Sequence, residues 1–202
     1  MLMKRCIIAK NGKIYCTLKH TIGGALNMSK LSQKTKDLLE TLAIILVVLV
    51  INIFIIGNAR VYGISMYPTL NNGSHNDRVI VEKYKRFSKN YNRGDIIILK
   101  SHDKNDANYI KRIVGMPNEV VEIKDGKVYI NGNILNEDYI PSDVNTKPEM
   151  KVNVPEGYVF VLGDNRDHSS DSRELGVIAF NDIVGKASYK FNILDLSFEK
   201  LK

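Results

Sequence analysis

The sequence predicts a mostly β protein: an antiparallel β-sheet domain with a small β-hairpin insertion, preceded by a single N-terminal transmembrane helix. Three observations carry this. One run, LAIILVVLVINIFIIG (42–57), is apolar except for Asn52. Short stretches rich in Val, Ile and Tyr then follow one another, with Asp-Gly and Asn-Gly turns after two of them. No helical period of useful length appears beyond residue 60.

The apolar run covers about 24 Å as a helix, short of a hydrocarbon core of roughly 30 Å. Extending it over 38–59 closes the gap and leaves Glu40 near the headgroups. A buried core helix would show a polar face, which this run lacks. A cleavable signal peptide starts with a short basic segment, not about 40 residues. Gly57-Asn58-Ala59 nevertheless has the small-x-small form of a cleavage site.

Charge divides the chain. Of the net +7, residues 1–41 carry eight basic and two acidic groups, and residues 42–59 carry none. Residues 60–202 are nearly neutral, which lacks the basic footprint of a nucleic-acid binder. Positive charge on the N-terminal flank predicts a cytoplasmic segment 1–37, a spanning helix 38–59 and an extracytoplasmic domain 60–202. The leading segment has no clear period, and Met28 would make a natural start. Cys6 and Cys16 both lie there, with no His or Cys cluster nearby, and read as ordinary reduced thiols.

Strands are expected over 77–83, 95–100, 109–115, 119–124, 127–131, 158–163 and 183–191. The hairpin insertion occupies about 116–157, and polar loops fall at 71–76, 101–108 and 141–155. His20, His75, His102 and His168 are scattered, without zinc-site spacing. No Gly-rich phosphate loop is present, so neither metal nor cofactor is expected. Arg93-Gly94-Asp95 reads as a turn entering a strand, and the sequons at Asn27 and Asn72 carry no argument.

Two stretches stand out beside the bend GISMYPTL (63–70). In YIKRIVG (109–115), strand alternation places Tyr109, Lys111 and Ile113 on one face, so Lys111 has apolar neighbours. On an ordinary surface strand its amine would simply be solvated. GDNRDHSSDSRELG (163–176) is dense in Asp, Arg and Ser; alone it reads as a polar loop or ion-paired scaffold and matches a calcium loop poorly.

SMYPTL, RGDIIIL, YIKRIVG and GDNRDHSSDSRELG, in this order behind an anchor, resemble the type I signal peptidases, over about residues 38–191. The single anchor and compact outer domain are similar to the Gram-positive branch. The resemblance implies a membrane-bound endopeptidase that removes signal peptides from secreted preproteins. It implies Ser65 as nucleophile and Lys111 as general base. A free lysine, with a pKa of about 10.4, is protonated near neutral pH; burial must lower that value. The Ser65 N–H would be one oxyanion donor. The family position that supplies a second hydroxyl in some relatives is Gly63 here, as in Gram-positive members. Ser169 matches a serine that orients the base, and Asp171 and Arg173 match a structural ion pair; Asp164 would pair with Arg112. Met66, Leu70, Tyr109 and Ile110 match the pocket for the small residue before the cut. The implied partners are signal peptides and the lipid bilayer, with a single-pass location in the cell membrane.

Two rivals remain at this level. A Ser–Lys self-cleaving repressor should bring a DNA-binding helical unit, where this chain has an anchor. A membrane-tethered, noncatalytic β module that binds an extracytoplasmic partner would need neither Ser65 nor Lys111.

Overall fold

The computed structural model describes residues 5–8, 14–17, 32–71, 77–100, 108–192 and 196–201. His20, His75, His102, Asn27, Asn72, Met28 and most of the loops expected at 71–76 and 101–108 lie outside them. The chain divides into two compact units, Met1–Val47 and Val48–Lys202.

In the first unit, β1 (Arg5–Ile8) and β2 (Ile14–Thr17) pair antiparallel, with Cys6 opposite Cys16 in the backbone register. The sequence reading expected no element there. Helix α1 (Gln33–Val50) follows and continues into a π-helical turn, Ile51–Ile55. Together they make 23 residues, long and apolar enough to cross a membrane. None of the α1 side chains is buried by protein. So continuous an apolar surface fits hydrocarbon and not water. The amide of Asn52 donates to Val48 O at 2.9 Å, which satisfies it within the helix.

The sequence reading carried the spanning helix to residue 59, and this is corrected. From Ile56 the chain is extended, and β3 (Ile56–Arg60) pairs with β4 (Arg78–Glu82), Ile56 facing Glu82 and Arg60 facing Arg78. Gly57 and Asn58 are weak helix formers. The neighbouring strand supplies the backbone partners that a continued helix would have made internally.

The second unit runs on through α2 (Lys85–Ser88), β5 (Ile96–Leu99), β6 (Tyr109–Gly115), β7 (Val120–Lys124), β8 (Lys127–Ile130) and β9 (Asn133–Ile134). Then come β10 (Met150–Asn153), β11 (Tyr158–Leu162), α3 (Ser172–Leu175), β12 (Ile178–Ala179), β13 (Ile183–Asn192) and β14 (Ser197–Lys200). The larger sheet is antiparallel, in the order β12-β11-β6-β5-β13-β4-β3. β13 pairs with β4, with β5 through its first half, and with β14 through its second.

The insertion is a second sheet, β10-β7-β8-β9. Asp125-Gly126 and Asn131-Gly132 each have positive φ at both positions, as type I′ turns require. The loop expected over 141–155 contains β10, which pairs with β7. Its alternation of half-buried and exposed residues is that of an edge strand and leaves a weak apolar signal.

Three apolar clusters hold the unit together. Val61, Met66, Leu70, Val79, Val81, Ile96 and Ile98 form one; Tyr91, Ile97, Leu99, Ile113, Val159, Val161 and Ile183 form another. Alternate residues of β5 enter different clusters, so that strand is buried along its whole length. The third joins the sheets: Val114, Phe160 and Leu162 meet Val121, Ile123, Val128 and Ile130. Gly115 sits at that junction, where a Cβ would run into Val121 Cγ2 and stand 3.0 Å from Phe160 Cβ.

Candidate active site

Ser65 lies in the turn between β3 and β4, just past Gly63, whose φ of +80° few side-chain-bearing residues adopt. The turn is tied from several directions. Met66 and Leu70, each 1% exposed, anchor it in the core. Asn71 Nδ2 donates to Gly63 O at 2.8 Å, and Tyr67 N to Ile64 O at 3.0 Å. From the segment after β11, Asn165 donates through its N–H to Ser65 O at 3.0 Å and through Nδ2 to Ile64 O at 3.1 Å.

Lys111 comes from β6, 46 positions away in sequence, and its Nζ donates to Ser65 Oγ at 2.9 Å and to Ile110 O at 2.9 Å. It is 2% exposed, and Nζ lies 5.3 Å from the centre of the Tyr109 ring. Burial pushes its pKa down to about 8; Asp171 and Asp164 hold it up somewhat, and Arg173 opposes them. An amine so placed is partly neutral near physiological pH and can accept a proton from the hydroxyl it touches. The Ser65 N–H has no acceptor among the described residues.

A polar frame fixes the pair. Asp171 accepts from Gly163 N at 2.9 Å and from Arg173 Nε and Nη2 at 2.8 Å each. Burial alone would raise the Asp171 carboxyl; the hydrogen bonds from Arg173 and Gly163 outweigh it and hold the pKa below its ordinary value. Arg112, 1% exposed, grips Asp164 through Nε at 2.8 Å and Nη2 at 2.7 Å, and its guanidinium carbon lies 4.0 Å from the centre of the Tyr139 ring. Thr69 Oγ1 donates to the same Asp164 at 2.5 Å, which ties the Ser65 turn to β6 and the β11 end.

Ser65, Lys111, Gly63, Asp171, Arg173 and the Arg112–Asp164 pair thus lie around one place. Ser169 does too, with a difference. The two Nζ bonds go to Ser65 and Ile110, and the expected bond between Ser169 and Lys111 is not made. Ser169 Oγ is instead buried and packed against Gly163, makes no hydrogen bond of normal geometry among the described residues, and lies close enough to the Asp171 carboxylate to help lower its pKa. Tyr109 and Ile110 line a groove of about 570 Å³ that includes Ser65 and Lys111 and runs past Ala59, Val79, Val81 and Val184. Met66 and Leu70 are absent from its lining: both are spent anchoring the turn in the cluster beneath.

Sequence reasoning missed Thr69, Asn71 and Asn165, which hold the turn, and the cluster of Arg166 with Glu137 and Thr146. Asn71 alone left a signal, since an asparagine closing a bend tolerates its φ of +59°. Among the described residues no three His, Cys, Asp or Glu side chains converge as a metal site.

Comparison with known proteins identifies the class. The family model described as "Signal peptidase, peptidase S26" matches residues 35–192, and the chain belongs to that family. Signal peptidase I of Bacillus amyloliquefaciens is 40% identical over 71% of this chain and 77% of its own length. Signal peptidase I S of Bacillus subtilis (strain 168) is 36% identical over 78% and 91%, and signal peptidase I P of Bacillus subtilis subsp. natto 33% over 82% and 95%. The chain is therefore a signal peptidase enzyme, and the one apolar helix of spanning length among the described residues, together with these relatives, fits a single-pass membrane protein.

Proposed function

We propose that the enzyme cleaves preproteins by nucleophilic attack of Ser65, with Lys111 as general base. The observation that carries this reading is the 2.9 Å contact between Ser65 Oγ and a buried Lys111 Nζ. Neutral Lys111 takes the Ser65 proton as Oγ bonds to the scissile carbonyl. The ammonium then gives that proton to the leaving amine as the peptide bond breaks. The acyl ester is hydrolysed by a water deprotonated by the same amine, and Ser65 recovers its proton. The Ser65 N–H serves as one oxyanion donor; Gly63, lacking a side chain, offers no hydroxyl beside it. Asp171, Arg173 and Ser169 act as scaffold.

Selection of small residues at the third and first positions before the cut fits a groove narrowed by Tyr109 and Ile110 beside Ser65. The substrate lies in it extended, held by main-chain hydrogen bonds. The eight basic residues within positions 1–41, against two acidic ones, favour a cytoplasmic N-terminus and an extracytoplasmic catalytic domain.

The test is cleavage of a preprotein by the full chain in detergent. Ser65→Ala is expected to lower the rate at least about 10³-fold while the thermal transition stays cooperative. Near-normal cleavage by that variant would overturn the reading.

A further inference from the structure

The chain leaves its spanning helix at Ile55 and enters β3, and β4 runs beside β3 so that Glu82 faces Ile56. Lys83, which opens the segment 83–89 after β4, therefore meets the end of the helix, while α2 within that segment packs against β13. Lys83 N donates to Ile55 O at 2.9 Å, and Lys83 Nζ to Asn52 O at 2.9 Å, capping the last turn. This segment reads KYKRFSK: four cations in seven residues around two aromatic rings. Both rings face outward, Tyr84 45% and Phe87 63% exposed. Each has a cation over it, Arg86 at 5.1 Å from the Phe87 centroid and Lys85 at 6.0 Å from that of Tyr84.

We infer that this turn is a second membrane contact, in which Tyr84 and Phe87 enter the headgroup layer and Lys85, Arg86 and Lys89 bind anionic lipid headgroups. Three observations select the bilayer as occupant. The turn is bonded to the last turn of the helix that spans that bilayer, so it has no distance to travel. The uncharged part of the helix is short, although the whole helix is long enough to cross: from Glu40 to Ile55 it rises only about 22 Å, less than a hydrocarbon core of roughly 30 Å. Such a shortfall draws the flanking elements toward the membrane. Finally, outward aromatic rings interleaved with cations match the apolar-to-anionic step at a membrane surface. Glu82 keeps its negative charge, its carboxylate accepting from Ser188 Oγ and Tyr84 OH, but the four cations of the segment outnumber it.

The contact is independent of the catalytic reading, and a lipid readout keeps the two separable. The protein has no tryptophan, so Phe87→Trp in the full chain introduces a single reporter. It is reconstituted into phosphatidylcholine vesicles with or without phosphatidylglycerol. The side chain at position 87 lies outside the catalytic groove, so preprotein cleavage by this variant serves as a check on folding. Expected are a blue-shifted emission and quenching by lipids brominated near the headgroup, stronger with phosphatidylglycerol and weakened by salt. Replacing Lys85, Arg86 and Lys89 together by Gln should remove the dependence on phosphatidylglycerol. Emission typical of water, unquenched by brominated lipid, would overturn the inference in an active enzyme. Quenching that ignores lipid charge would overturn its anionic part.

Discussion

Lys111 has an ordinary pKa near 10.5, and burial brings it to about 8. At 1.36 kcal/mol per unit, the charged form is disfavoured in the folded protein by roughly 3 kcal/mol. Near pH 7 both folded and unfolded chains carry that proton, so the fold bears the burden. Lys111→Met is thus expected to abolish cleavage and yet raise stability, by roughly 1–2 kcal/mol once two hydrogen bonds to Nζ are lost. As pH rises above about 8 the folded amine loses its proton before the unfolded one, and wild type gains on the variant. Thermal denaturation of both proteins at pH 7 and about pH 9.5 checks the sign; a variant less stable at both would contradict it. The two basic residues of YIKRIVG are visible in sequence, and alternation already sets Lys111 among apolar neighbours. The burial of Arg112 is not readable by pattern, because it depends on Asp164 and the Tyr139 ring, 52 and 27 positions away.

The turn after β11 meets the Ser65 turn at Gly163. A Cβ there would run into Ser169 Oγ and come within 2.6 Å of Ser65 O. Backbone cannot give way as a flexible side chain can. Gly163→Ala is expected to destabilise by about 1–3 kcal/mol and to lower cleavage about 10²-fold by displacing Ser65; steady-state rates beside a melting curve would show both. Gly115→Ala, at the junction of the sheets, should destabilise similarly and leave the rate per folded molecule unchanged. The strands at the centre of the larger sheet are legible because they are continuous runs such as IIIL. β3 resembles helix in the sequence because Ile56-Gly57-Asn58-Ala59 continues the apolar run, and only pairing to β4 makes it a strand. β10 is hidden by the Pro- and Asp-rich segment before it and by its own exposed, alternating residues.

In the whole chain, charge and apolar length carry most of what is readable. A basic leading segment, one helix and a nearly neutral β domain describe a tethered enzyme. Where the helix stops is not readable, since hydropathy does not distinguish its last turn from the first strand that follows. Orientation has a simple check, because the two cysteines, Cys6 and Cys16, both precede the helix. In intact cells a membrane-impermeant thiol reagent should leave the protein unlabelled and label it once the membrane is opened. Labelling of intact cells would reverse the orientation.

The mechanism requires that Lys111 give up its proton far more readily than a surface lysine, so that an uncharged amine faces Ser65 when it attacks. Its titration can be followed by NMR of full-length protein with isotope-labelled lysines in detergent, the resonance being assigned by its loss in Lys111→Met. One lysine should titrate near pH 8, apart from the rest, and the cleavage rate should rise over the same interval. If that resonance titrates near the ordinary lysine value of 10.5, the proposed base is charged at neutral pH and the mechanism fails.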